Sequence, residues 1–291
     1  MSNSLGLEMT VHDLKKGYQQ YMQSLEQYHF YHMVTPSPWP FFSAIQVFIM
    51  VLGGVMYMHF FSYGGYVLLW GAINLIFVVT LWLRDVIREG TFEGMHTKKV
   101  QKNLKFGFAL FIITEIMFFF AFFWSFFHSS LSPVVELGCV WPPVGIAPIN
   151  PWLLPFLNTC LLLQSGVYIT TCHMYFRAGE ASKVFEYFLY TLLFGLIFTF
   201  VQLYEYIEST FTIADSVYGS TFFMLTGFHG FHVLAGTVFI FVCFFRTVFG
   251  HFTRNHHVGF ECAAWYWHFV DVVWLFLFVC VYIWSSWGYI F

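Results

Sequence analysis

The sequence predicts an all-α integral membrane protein with seven transmembrane helices, and three observations lead there. Of its 291 residues, 59% are hydrophobic and only 9% charged, against roughly 25% charged in soluble domains, and its mean hydropathy is +0.69. The apolar residues gather in seven stretches, each long enough to cross a hydrocarbon core of about 30 Å. With seven crossings, all 12 Lys and Arg residues fall on one side of the membrane.

The predicted spans run over Phe41–Phe61, Tyr66–Leu83, Phe106–Phe127, Trp152–Met174, Phe185–Tyr204, Tyr218–Phe245 and Cys262–Trp284. Before the first, Pro36, Pro38 and Pro40 hold the chain extended, because proline fixes φ and disfavours helix in the residue preceding it. Pro133, Pro142, Pro143, Pro148, Pro151 and Pro155 do the same in the longest loop, with Pro155 reaching an opening helical turn. Lys15 and Lys16 precede span one. Arg84, Arg88, Lys98, Lys99, Lys102 and Lys105 lie between spans two and three, Arg177 and Lys183 between four and five, and Arg246 and Arg254 between six and seven. By the positive-inside rule the N-terminus is inside and the C-terminus outside. The outer loops carry Glu136, Glu208 and Asp215 and no cation.

Residues 1–30 form a polar extension on the inner side, and residues 31–291 a single membrane domain. The extension has neither the apolar core of a secretory signal nor the Arg-rich, acid-poor composition of an import peptide. The expectation is a chain made in the compartment where it is inserted. A net charge of -3 provides no basic footprint for nucleic acid. Six cysteines without a C-x-x-C pair point to neither a disulfide framework nor a zinc site. No fixed-period repeat occurs, and no duplicated pair of broken helices of the transporter kind.

Few ionisable groups are predicted at depth: Glu115 in span three, His229 and His232 in span six, and His268 with Asp271 in span seven. A charge facing lipid there costs a few kcal/mol or more, so each is expected to face a helix or cavity, or to be neutral. Glu115 is read as a proton-linked carboxylate or the polar lining of a cleft, or else as a protonated acid hydrogen-bonded between helices. His229 with His232, and His268 with Asp271, are i, i+3 neighbours that suit interhelical hydrogen bonds better than a convergent metal cluster. The loop Arg84–Lys105, and Arg246 at the end of span six, sit where basic residues meet lipid phosphates or simply fix orientation with local ion pairs.

Several long strings then become recognisable: YHMVTPSPWP (31–40), WLRDVIREGTFEG (82–94), FFWSFFHSSLSP (122–133), ELGCVWPP (136–143), YGSTFFMLTGFHGFHVLAG (218–236) and NHHVGFECAAWYWHFVDVVWLFLFVCVYIW (255–284). In this order, from Tyr31 to Trp284, the chain resembles the cytochrome c oxidase subunit III family of the haem–copper oxidases, mitochondrial type. Leu83, Met95 and Met174 stand where that family's pattern has Trp, His and His.

The resemblance implies two bundles, helices 1–2 and 3–7, around a V-shaped lipid cleft. It implies a non-catalytic subunit of respiratory complex IV in the mitochondrial inner membrane, supporting electron transport and proton pumping and protecting against turnover inactivation. It implies that no haem, copper or other metal is bound directly. Haem and copper are expected in partners, which are the catalytic subunit 1, subunit 2 and accessory subunits, together with structural, anionic phospholipids. Glu115 would be the cleft carboxylate. Arg84, Arg88, Glu89, His96 and Arg246 would meet lipid headgroups, and His229, His232, His268 and Asp271 would be structural polar groups. Two competing readings make different demands: an independent haem enzyme using His229, His232 and His268, or a transporter coupled through Glu115.

Overall fold

The computed structural model describes residues 30–290, so Lys15, Lys16 and the polar extension lie outside the described residues. The described chain folds into helices α1 (Trp39–Met58), α2 (Gly64–Thr91), α3 (Lys98–Leu131), α4 (Leu154–Ala178), α5 (Ala181–Glu208), α6 (Ser216–Val248) and α7 (Val258–Leu277). A π-helical stretch, Phe278–Trp284, and a short α-helical segment, Ser285–Ile290, continue α7. Among the described residues there is no strand beyond one isolated bridge, Thr253 with His256.

Proline and glycine mark the ends as expected. Pro40 lies in the first turn of α1 and Pro155 in that of α4, where a missing N–H costs nothing. Gly179 ends α4 in the left-handed conformation at φ 85°, its N–H donating to the Tyr175 and Phe176 carbonyls. Several helices overrun the predicted spans, while α1 stops at Met58, short of Phe61. α3 begins at Lys98 rather than Phe106, and α5 reaches Glu208 rather than Tyr204. Hydropathy marks where a chain crosses hydrocarbon, whereas helical hydrogen bonding carries on through polar residues at the interface.

Among the described residues, six helices are long and apolar enough to cross a membrane: α1, α2, α3, α5, α6 and the α7 segment Val258–Trp287. α4 is long enough, at 25 residues or about 37 Å, but more polar. The structure shows why. Asn158, Thr159 and Ser165 are buried and face neighbouring helices. The Trp274 indole N–H donates to Thr159 Oγ1 at 2.9 Å and the Trp267 N–H to Ser165 Oγ at 2.8 Å. A helix whose polar groups are satisfied by its neighbours loses hydropathy without losing its place in an apolar bundle.

The chain divides into two compact units at Asn103 and Leu104. In the first, α1 and α2 form a hairpin whose contact is set by glycine. A Cβ on Gly53 would lie 2.3 Å from the Leu68 backbone nitrogen, and one on Gly71 2.6 Å from that of Met50. The Trp39 indole N–H also donates to Asp85 Oδ2 at 2.5 Å, tying the start of α1 to α2.

The second unit is built around α7, whose segment Val258–Trp287 is mostly buried, whereas α3 is mostly exposed. Trp267 and Trp274 are almost wholly enclosed. Within this unit, Lys105 pairs with Glu261, His257 meets His173, and the Arg254 guanidinium lies against Gly179. The start of α3, the α4–α5 turn and the α6–α7 loop therefore share one end. At the other, Trp141 packs on Phe126 and Tyr218, and Thr210 Oγ1 donates to the Ala147 carbonyl at 3.3 Å.

Candidate functional site

Glu115 on α3 meets His232 on α6, with Oε2 2.9 Å from Nε2. The histidine's other nitrogen decides the chemistry. Nδ1 lies 2.7 Å from the Phe228 carbonyl, which can only accept, so Nδ1 carries a proton. The Glu115–His232 contact then needs a proton of its own, held by the carboxyl or by the imidazole. Either way the pair is neutral overall and holds one transferable proton, which answers the cost of a lone charge at depth. Phe119 packs at a tilt 5.0 Å from the His232 ring, and Tyr266 stacks on it at 6.3 Å. The side chain of Glu115 keeps 22% exposure.

The other predicted pairs fare differently. His229 and His232 diverge: the buried His229 donates from Nε2 to the Val270 carbonyl at 3.2 Å and packs on Trp274. His268 and Asp271 do meet, at 3.5 Å, with Thr170 Oγ1 on the far ring nitrogen at 3.1 Å. A Cβ on Gly166 would lie 2.3 Å from Asp271 Oδ2, so the carboxylate occupies the space where α4 lacks a side chain. Replacing Gly166 with Val is expected to expel it and lower the thermal inactivation temperature of the assembled protein by several degrees, for a cost of about 1–3 kcal/mol.

Beside Glu115's helix, α3 and α7 enclose a groove of about 760 Å³ with no polar surface, lined by Ile116, Phe120, Phe123, Val272 and Phe276 among others, with His268 at its margin. Its chemistry suits a hydrocarbon chain.

In the first unit, Arg84 pairs with Asp85 at 2.8 Å and Arg88 with Glu93 at 3.4 Å, yet their side chains stay 60% and 72% exposed. Exposed pairs of this kind contribute about 0–1 kcal/mol, so both guanidinium groups can still serve an external anion. Glu89 lies 3.8 Å from His32, whose ring packs edge-on against His96. In the second unit, Arg246 ends α6 with its guanidinium 4.2 Å from the centre of the Phe252 ring. Burial first, and then the Arg246 charge, hold His251 and His256 in the following loop below the usual imidazole range.

One site escaped the sequence reading. Glu205, only 2% exposed, accepts from the Tyr282 hydroxyl at 2.6 Å and from Gln202 Nε2 at 3.2 Å, while Asn158 Nδ2 donates to Gln202 Oε1 at 3.3 Å. It had fallen one residue beyond the predicted end of span five. The signal was there in Gln202 and Glu205, spaced i, i+3 on a helix that runs one turn further. Tyr282→Phe leaves this carboxyl short of a donor and should cost about 1–3 kcal/mol, seen as a lower thermal unfolding temperature.

The model of the cytochrome c oxidase subunit III family matches residues 29–286. The chain belongs to the cytochrome c oxidase subunit III family. It is similar to cytochrome c oxidase subunit 3 of Prototheca wickerhamii, at 56% identity over 258 residues, covering 89% of this chain and 98% of that protein. The subunit 3 proteins of Arabidopsis thaliana and Lemur catta are 55% and 54% identical over 89% and 90% of this chain, and 98% and 95% of their own lengths. The family match runs through both units, and so takes in the α1–α2 hairpin, the Glu115–His232 pair and the buried Glu205 alike.

Proposed function

We propose that the chain is a non-catalytic subunit of mitochondrial cytochrome c oxidase that flanks catalytic subunit 1, with subunit 2 and accessory subunits as further partners. It carries phospholipid and protects the complex from inactivation during turnover. The observation behind this reading is identity above 50% along nearly the whole chain with proteins of that name. Redox chemistry, with its haem and copper, belongs to the partners. This chain contributes apolar surface, lipid and a neutral proton-holding pair.

All seven helices cross the inner membrane, and helices α1–α2 and α3–α7 form the two bundles. Polar groups turned inward account for the lower hydropathy of α4. Residues 31–291 make one membrane domain with residues 1–30 as an extension in the matrix, and the C-terminus lies in the intermembrane space. The gathering of Lys105, Arg177 and Arg254 toward one end of the second unit supports this orientation.

Arg84, Arg88 and Arg246, with Glu89 and His96, sit at the headgroup level, where each cation near an anionic surface contributes about 1 kcal/mol. The apolar groove holds an acyl chain. The test is native mass spectrometry of the complex carrying Arg246→Ala. Loss of an anionic phospholipid supports the reading, and unchanged lipid content reduces Arg246 to an orientation charge.

A further inference from the structure

A second cluster, remote from Glu115, lies at the cation-rich end of the second unit. His173 from α4 and His257 and Glu261 from the start of α7 bring three ligand atoms within 4.8 Å of one another. We propose that these three residues bind a divalent transition-metal ion, zinc foremost, with the fourth position open.

The distances argue for it. Zinc bonds to imidazole nitrogen and carboxylate oxygen are about 2.0–2.1 Å, which puts neighbouring ligand atoms of a tetrahedral site about 3.3 Å apart. His173 Nε2 lies 3.2 Å from His257 Nε2, and His257 Nε2 lies 3.3 Å from Glu261 Oε1. The donor set of two imidazoles and one carboxylate is a known zinc combination that leaves room for water.

Orientation argues for it as well. His257 Nδ1 lies 3.0 Å from the Thr253 carbonyl, which can only accept, so Nδ1 holds a proton and the ring presents Nε2 to the cluster. A backbone carbonyl fixing the far nitrogen of a histidine is the usual support of a metal-ligating ring. The isolated bridge between Thr253 and His256 holds that carbonyl in place. Edge-on packing of the His173 ring against His257 and Phe260, with Phe176 tilted against His257, sets both imidazoles.

Nε2 of His257 and Oε1 of Glu261 face each other as two acceptors unless a proton or a cation lies between them. A shared proton serves that one contact, whereas a divalent ion serves all three ligands together. Lys105 pairs with Glu261 through the opposite oxygen, Oε2. It leaves Oε1 directed at the imidazoles and opposes, by its charge, the entry of a second cation. The site is therefore one of moderate affinity, suited to a regulatory ion.

The test uses the assembled oxidase, washed with chelator and titrated with zinc chloride. Wild type should bind one zinc more per complex than His257→Ala or Glu261→Gln, with identical haem spectra. Lys105→Gln should bind that zinc more tightly than wild type, a gain that loss of packing would not produce. Should the ligand variants fail to assemble, zinc protection of His173 and His257 in the wild-type complex against diethylpyrocarbonate, read by peptide mass spectrometry, decides the matter. Equal zinc stoichiometry in all assembled forms, or unchanged modification of both histidines, means a shared proton only and overturns the proposal.

Discussion

Leucine at position 53 is expected to abolish most of the assembled complex, while leucine at position 54 is expected to leave it near normal. The two glycines are neighbours in α1, yet a Cβ at Gly53 would lie 2.3 Å from the Leu68 backbone, whereas at Gly54 it meets only the tip of the Leu68 side chain at 4.0 Å. Backbone cannot yield as a side chain can, so α1 and α2 must part. Close small-residue packing is the main source of helix association inside a bilayer. An overpacked contact of this kind costs about 3 kcal/mol, or roughly a hundredfold in the hairpin equilibrium. Blue-native electrophoresis of the two variants, with haem absorbance as the measure of assembled oxidase, provides the comparison. Equal assembly of both would mean that the α1–α2 contact is not tight in the membrane.

Glu115→Leu is expected to destabilise the second unit, and Glu115→Gln to spare its assembly while shortening the lifetime of turnover severalfold. Leucine leaves His232 Nε2 facing α3 without a partner, at a cost of about 1–3 kcal/mol. Glutamine can donate an amide N–H to that nitrogen and keep the helices joined, but its proton does not transfer. The pair then becomes a fixed hydrogen bond. Two measurements check this: labelling by a carboxyl reagent, which Gln should eliminate at this position, and the number of turnovers before inactivation. A Gln variant with the wild-type lifetime would reduce Glu115 to a structural tie.

The helices were legible in the sequence because a bilayer demands apolar runs of a set length, and the predicted spans locate all seven helices. Their ends were less legible. Lys98–Lys105 and Glu205–Glu208 are helical for reasons of backbone hydrogen bonding that hydropathy does not register. Pairs of groups at i, i+3 were visible, and His268 with Asp271 does form one. His229 and His232 each make an interhelical hydrogen bond, as expected of them, but with different helices, since the angle between them on α6 directs one ring to α7 and the other to α3. The partner of His232 stands 117 residues away in the chain, and His173 stands 84 from His257. No local spacing encodes contacts that only the packing of α3, α4, α6 and α7 creates. The scarcity of ionisable groups within the spans singled out Glu115, but could not name His232 as its partner.

On the proposed function, this oxidase subunit carries no redox centre of its own. That claim is tested most directly by purifying the chain through an affinity tag twice, once in mild detergent as the complex and once after dissociation, and assaying haem by pyridine haemochrome. The expected result is haem in the complex, together with a large haem–copper subunit, and none on the dissociated chain. Stoichiometric haem on the dissociated chain, lost in a His229 or His268 variant, would contradict it and make the chain a redox protein in its own right.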